Sequence, residues 1–190
     1  MKLDGVLPFA RTLLDKAITE GGFAVDATMG NGHDTLYLAK LVGENGAVFA
    51  FDVQTEALAA TQKRLAEQGF ENQATLFHAG HEQASALIPE AFHGKLQGAI
   101  FNLGYLPGSD KSVVTQPGTT ISAVEQLLRM MAPGGIIVLV VYHGHEGGAV
   151  ERDSLLEYVR GLDQKEAHVL HYQFINQKNN PPFIIAIEKR

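Results

Sequence analysis

The chain has 190 residues, 45% of them hydrophobic and 19% charged, which suits one globular domain with a sizeable core and leaves no room for a second full one. A formal net charge of −6 at pH 7 means that the field of the whole molecule repels nucleic acid, so any RNA must be held by a local basic patch. There is no cysteine, which excludes disulfides, thiolate metal sites and cysteine nucleophiles; without a long apolar run or a secretory leader, a cytoplasmic protein with no membrane segment is expected.

Apolar residues at Val6, Leu7, Phe9, Ala10, Leu13, Leu14, Ala17 and Ile18 recur with a helical period, predicting a structural helix within residues 3–19. Phe23-Ala24-Val25 reads as a buried parallel strand. Gly30-Asn31-Gly32 breaks it before a helical pattern carried by Leu36, Leu38, Ala39 and Leu41, which ends near Gly43. A strand from Ala47 to Asp52 follows, then a helix over residues 55–68 that Gly69 closes as a C-cap. A third strand spans residues 74–79, with Gly80-His81-Glu82 as its exit loop and a short helix over residues 83–88 stopped by Pro89. A fourth strand covers residues 96–103.

The stretch 104–118 is rich in glycine, proline, serine and threonine and is long enough to be functional. A helix over residues 119–131 is expected to end at Pro133-Gly134-Gly135. Residues 136–141 form the most apolar run and should be a fifth, central strand that exits into Tyr142-His143-Gly144-His145-Glu146. A last helix over residues 150–162 precedes two β-rich runs, 168–175 and 182–188, flanking Asn179-Asn180-Pro181. They read as an antiparallel hairpin at the sheet edge. This alternation predicts an α/β, doubly wound sheet with right-handed crossovers and one antiparallel strand. In such a sheet Asp26, Asp52, His81, Asn102 and Tyr142 all follow strand carboxyl ends and should converge on one crevice.

The glycine turn narrows the ligand. A dinucleotide fingerprint would place a third glycine where Thr35 stands, and Asp34 in the first helical turn would face a pyrophosphate with like charge. A cationic, phosphate-free ligand meets no such conflict. S-adenosylmethionine carries a sulfonium and an ammonium that Asp26 and Asp34 would favour, and Asp52 at the end of the next strand can accept both ribose hydroxyls. The competing explanation makes Asp26 and Asp34 local caps and Asp52 a solvated strand end.

The motifs D-A-T-M-G-N-G-H-D, F-D-V-Q, G-H-E, F-N-L-G-Y-L-P-G-S-D and V-Y-H-G-H-E-G-G together resemble the YtqB-like family of Class I S-adenosylmethionine-dependent RNA methyltransferases, long labelled rRNA methylases. The resemblance spans essentially the whole chain. It implies a Rossmann-like seven-stranded sheet of order 3-2-1-4-5-7-6 and a tRNA acceptor, the 5-aminomethyl group of a wobble uridine in the anticodon region. It implies that Asn31, His33 and Asp34 line the methionine side, Asp52 and Gln54 the ribose and adenine side, and His81 with Glu82 the adenine edge. Thr28, Gly30 and Gly32 of the same turn, with Asp26 and Asn102, complete the expected cofactor-contacting set. His81 has an alternative as a packed loop histidine.

Asn102-Leu103-Gly104-Tyr105 stands where amino-methylating enzymes often carry N-P-P-Y, so Asn102 and the Leu103 carbonyl are the expected acceptors for the target amine. A flexible alkylamine suits the altered motif better than a planar base amine. Tyr105, His143 and His145 are candidates to assist deprotonation, the histidine pair having the alternative of a solvated polar loop. A metal site on His143-Gly144-His145-Glu146 is not expected, since there is neither a thiolate nor an H-E-x-x-H helix. An rRNA base or a small-molecule amine is the second choice of acceptor, and an NAD-dependent oxidoreductase or a non-catalytic nucleotide-binding module the reading from another class. A homodimer is compatible with the sequence.

Overall fold

The computed structural model describes residues 2–104, 114–144 and 147–190. Its helices are α1 (Val6–Ala17), α2 (His33–Val42), α3 (Thr55–Gln68), α4 (Ala84–Leu87), α5 (Pro117–Met130) and α6 (Gly148–Arg160). Its strands are β1 (Phe23–Asp26), β2 (Ala47–Asp52), β3 (Ala74–His78), β4 (Leu96–Leu103), β5 (Met131–Val141), β6 (Ala167–Tyr172) and β7 (Phe183–Lys189). They form one seven-stranded sheet of order β3-β2-β1-β4-β5-β7-β6, in which β7 runs antiparallel to both of its neighbours. This is the doubly wound architecture expected from the strand–helix alternation.

Period-two side-chain alternation sorts the apolar residues onto the two faces of the sheet. From β5, Ile137, Leu139 and Val141 join Phe51, Phe101, Leu127 and Leu155 in one core. Val138 and Val140 enter the other with Leu14, Leu38 and Leu65. The α1 stripe of Ala10, Leu13 and Leu14 is buried in that second core, as its helical spacing requires.

Most element ends differ from the sequence reading by a residue or two, β6 ends at Tyr172 rather than 175, and α5 and β5 differ for identifiable reasons. Helix α5 begins at Pro117, because proline's fixed φ and missing N–H suit the first helical position, and it ends at Met130. Strand β5 begins at Met131 rather than Ile136: Met131 pairs with Leu96, Ile136 pairs with Gly98, and Pro133-Gly134-Gly135 is absorbed in the register shift between them. The middle of the sheet is β4, not β5, which lies between β4 and β7. The hairpin sits as expected, with β6 alone at the edge and Asn179 and Asn180 both at positive φ in the connection.

The order of strands reverses between β1 and β4, and a crevice opens over their carboxyl ends. One of its walls depends on Gly32, at φ +75°, where an added Cβ would lie 2.8 Å from the Thr61 Cα of α3. Both the backbone conformation and the helix contact demand glycine. Gly32→Ala should therefore lower stability by about 1–3 kcal/mol or more in urea unfolding; an unchanged midpoint and slope would contradict this packing constraint.

Candidate active site

The crevice is a cavity of about 940 Å³ reached by residues from every parallel strand end and from α1. Asp52 ties two of its loops together. One carboxylate oxygen accepts the Gly30 N–H at 3.0 Å and the other accepts the Gln54 N–H at 3.0 Å, which fixes the exits of β1 and β2 against each other. Thr61 reinforces the turn by donating to the Gly30 carbonyl at 3.1 Å, and Arg64 donates to the Asn31 carbonyl at 2.7 Å while its guanidinium lies 3.2 Å from His33 Nε2. Beside Asp52, Val53 presents an apolar surface that is 55% exposed.

Asn102 sits at the end of β4, where the ladder between β1 and β4 has stopped. Its backbone N–H donates to Thr28 Oγ1 at 2.7 Å, and its side-chain Nδ2 donates to Asp34 at 2.9 Å. A carboxylate accepts only from the amino end of the amide, so Oδ1 is left as the acceptor in the cavity wall. The other oxygen of Asp34 pairs with Arg11 at 3.4 Å, and the Arg11 guanidinium lies 4.8 Å from the Tyr37 ring centre.

His81 is buried, with Nδ1 3.0 Å from the Ala27 carbonyl and its ring against Phe101. Burial holds its pKa below the usual histidine value, so the ring is neutral, Nδ1 carries the proton and Nε2 keeps a buried lone pair with no partner among the described residues. The loop is anchored from α5 by Gln126, which accepts from the Ser85 N–H and donates to the Glu82 carbonyl. Tyr142 lines the cavity, and burial followed by the charge of Asp34 raises its phenol above the ordinary value, keeping it protonated at neutral pH. His143 has Nε2 3.2 Å from the Pro181 carbonyl and packs on Phe183, while its Nδ1 is buried without a partner among the described residues.

Thr28, Gly30, Asn31, His33, Asp34, Asp52, Gln54, His81, Glu82, Asn102, Leu103 and His143 are thus brought to one cavity. Two residues expected to contact the cofactor are not. Asp26 lies beneath the wall, fully buried, with its oxygens accepting from Thr35 Oγ1 at 2.7 Å and the Thr28 N–H at 3.2 Å. Gly32 faces α3 rather than the cavity. Leu103 lines the cavity, and its carbonyl already accepts the Tyr142 N–H at 3.1 Å, so the sheet occupies one of its two lone pairs. Gly104 has φ +146°, which a proline ring cannot adopt, so the second proline of N-P-P-Y would not fit here. Tyr105, His145 and Glu146 lie outside the described residues.

Sequence reading missed Arg11, Thr115 and Glu151. Arg11 shares one helical face with Leu7 and Ala10, all three lining the cavity, so the spacing i, i+3, i+4 was an available signal once the helix was known to cross the strand ends. Among the described residues, no group of three His, Asp or Glu side chains is placed to hold a metal, and no helix is long and apolar enough to cross a membrane.

An apolar shelf at Val53 and an acid at each of the first two strand exits, Asp34 and Asp52, fit an adenosyl group bearing a cationic chain, and Asp34 in the first turn of α2 would meet a phosphate with like charge. The fold and site are those of a Class I S-adenosylmethionine-dependent methyltransferase. The family model described as "Putative rRNA methylase" matches residues 48–188, and the chain belongs to that family. It is 33% identical over 188 residues to the chloroplastic tRNA (mnm(5)s(2)U34)-methyltransferase of Arabidopsis thaliana, covering 95% of this chain and 68% of the relative. A crystal structure described as a "putative rRNA-methylase" from Clostridium thermocellum superposes with a TM-score of 0.96 at 40% identity, covering 100% of both chains. A crystal structure described as a "putative methyltransferase" from Streptococcus mutans, in complex with SAH, gives a TM-score of 0.89 at 37% identity over 99% of both chains.

Asp26 offers a test of the electrostatics under the wall. Burial first, and the nearby charge of Asp34 second, raise its pKa from 3.8 to about 7. The folded state then holds a proton that the unfolded chain releases, so between about pH 4 and pH 7 stability falls as pH rises, by about 1.4 kcal/mol per pH unit for one such proton. Urea unfolding of the parent and of Asp26→Asn across this range should give stability curves that diverge with that slope; parallel curves would contradict the assignment.

Proposed function

We propose that the chain methylates tRNA, converting the 5-aminomethyl group of a wobble 2-thiouridine in the anticodon to 5-methylaminomethyl. The observation that carries this reading is the Asn102 amide, held by Asp34 with its oxygen as the acceptor in the wall of the cofactor cavity. The name of the Arabidopsis relative supports the acceptor. An anticodon loop presents an unpaired base that can be turned out of its stack, and a cavity near the upper end of the usual ligand range of about 300–1,000 Å³ leaves space beside the cofactor.

S-adenosylmethionine supplies an electrophilic methyl group, and S-adenosylhomocysteine is the leaving product. The acceptor must present a neutral amine, so its ammonium form loses a proton before the new N–C bond forms, and the secondary ammonium product loses another. Asn102 Oδ1 accepts one N–H of the amine and aims its lone pair, which converts loose encounter into an oriented one. Asp34 keeps the amide from turning over. Tyr142 remains a phenol and can donate a hydrogen bond or cover the base, and it does not serve as the base. With its Nε2 engaged at Pro181 and its Nδ1 enclosed, His143 is a packed histidine; Tyr105 and His145 lie outside the described residues, and solvent can take the proton.

Nucleoside mass spectrometry of undermodified tRNA incubated with the protein and S-adenosylmethionine tests the reading: 5-aminomethyl-2-thiouridine should gain 14 mass units. Methylation of rRNA, or of neither RNA, would refute the acceptor. Asn102→Ala should reduce transfer by about 10²-fold while SAH affinity stays within a few-fold by calorimetry; parent-like turnover would remove Asn102 from the chemistry. Asp52→Ala should weaken SAH binding by about 1.5–3 kcal/mol, through a lost charge-assisted bond to the ribose and a freed Gly30 turn, and equal affinity would refute that role.

A further inference from the structure

Glu151 is a charged side chain that none of the preceding chemistry uses, and it is only 2% exposed. It stands in the first turn of α6, where the partial positive charge of the helix end favours a carboxylate. One oxygen accepts the Thr115 hydroxyl at 2.7 Å and the other the Thr120 hydroxyl at 2.9 Å. Thr115 passes the contact on. Its Oγ1 accepts the Gly104 N–H at 3.0 Å, and its own N–H donates to the Gly104 carbonyl at 3.1 Å. Gly104 is two residues beyond Asn102 and takes the positive φ at which β4 leaves the sheet. A hydroxyl that donates to a carboxylate is a better acceptor for a backbone N–H, because each bond polarises the next.

We infer that Glu151 is a positioning residue for methyl transfer: acting through Thr115, it clips the end of β4 at Gly104 and thereby holds Asn102 where the amine must be aimed. This rests on the transfer reading above for its kinetic consequence, and on geometry alone for the clip. The Thr28 bond fixes the Asn102 N–H from the β1 side. The Thr115 bonds fix the next turn of backbone from the α5 side. Without the hydroxyl anchor, Gly104 beyond the β4–β5 ladder keeps only the bond from the Thr115 N–H to its carbonyl, and the turn that follows Asn102 is held less firmly.

The test compares Thr115→Val, which keeps the shape and loses both hydroxyl bonds, with Thr115→Ser, which keeps both. A second disruption, Glu151→Asp, shortens the acid by one methylene and keeps its charge. In Thr115→Val and Glu151→Asp, kcat for tRNA methylation should fall about tenfold or more, with KM for S-adenosylmethionine and Kd for SAH within about twofold of the parent. Thr115→Ser should stay within about twofold in kcat. The double variant should lose no more than the worse single, since both changes cut one chain of contacts. Amide exchange by NMR gives a separate readout: the Gly104 N–H should exchange at least tenfold faster in Thr115→Val and stay protected in Thr115→Ser. A lowered melting temperature with parent-like kcat, equal impairment of the valine and serine variants, or multiplying losses would each overturn the inference. If the parent transfers no methyl group to tRNA, the acceptor reading falls, and parent-like Gly104 exchange in Thr115→Val would overturn the clip.

Discussion

Where the sheet divides between β1 and β4, backbone groups lose their ladder partners, and a buried N–H left without an acceptor is costly. The active site exists because side chains take over those partners. Thr28 accepts from Asn102, Asp52 accepts from Gly30 and Gln54, and Thr115 accepts from Gly104. All of these bonds satisfy the backbone; those from Asn102 and Gly30 also tie one strand exit to another, and the one from Gly104 ties the end of β4 to the segment before α5. The ligand crevice is therefore rigid at the point where a doubly wound sheet is otherwise least constrained.

The same economy governs charge. The carboxyl groups Asp26, Asp34 and Asp52 crowd the first two strand exits, and the structure separates them by environment. Asp52 is held by backbone N–H groups, Asp34 by Arg11 and the Asn102 amide, and Asp26 is sealed under Thr35 and Thr28, where burial favours its neutral form. Mutual repulsion is thereby reduced, and negative charge remains where a sulfonium and an ammonium are to be held.

Much of this was legible in the residues. The helical stripe of α1, the apolar runs of the strands and the Gly69 cap follow from local periodicity and turn chemistry. The absent third glycine and the acid at Asp34 separate a methyl donor from a dinucleotide without any coordinates. The start of β5 was not legible, because Pro133-Gly134-Gly135 breaks local pattern while the long-range pairing of Met131 with Leu96 sustains the strand.

The chain's own pattern of glycines, acids and apolar runs determined the layered sheet, the side of it that binds and the class of ligand, since these depend on neighbours within a few positions. Tertiary structure alone decided which groups face the cavity and which support it. Asp26 and Asp34 are eight positions apart in the chain and chemically alike, yet one is sealed beneath the wall and the other orients Asn102. Glu151, far along the chain, reads locally as an ordinary first-turn acid. Its burial against Thr115 and Thr120 comes from the packing of α5 on α6, and no local signal carries an encounter between segments that distant.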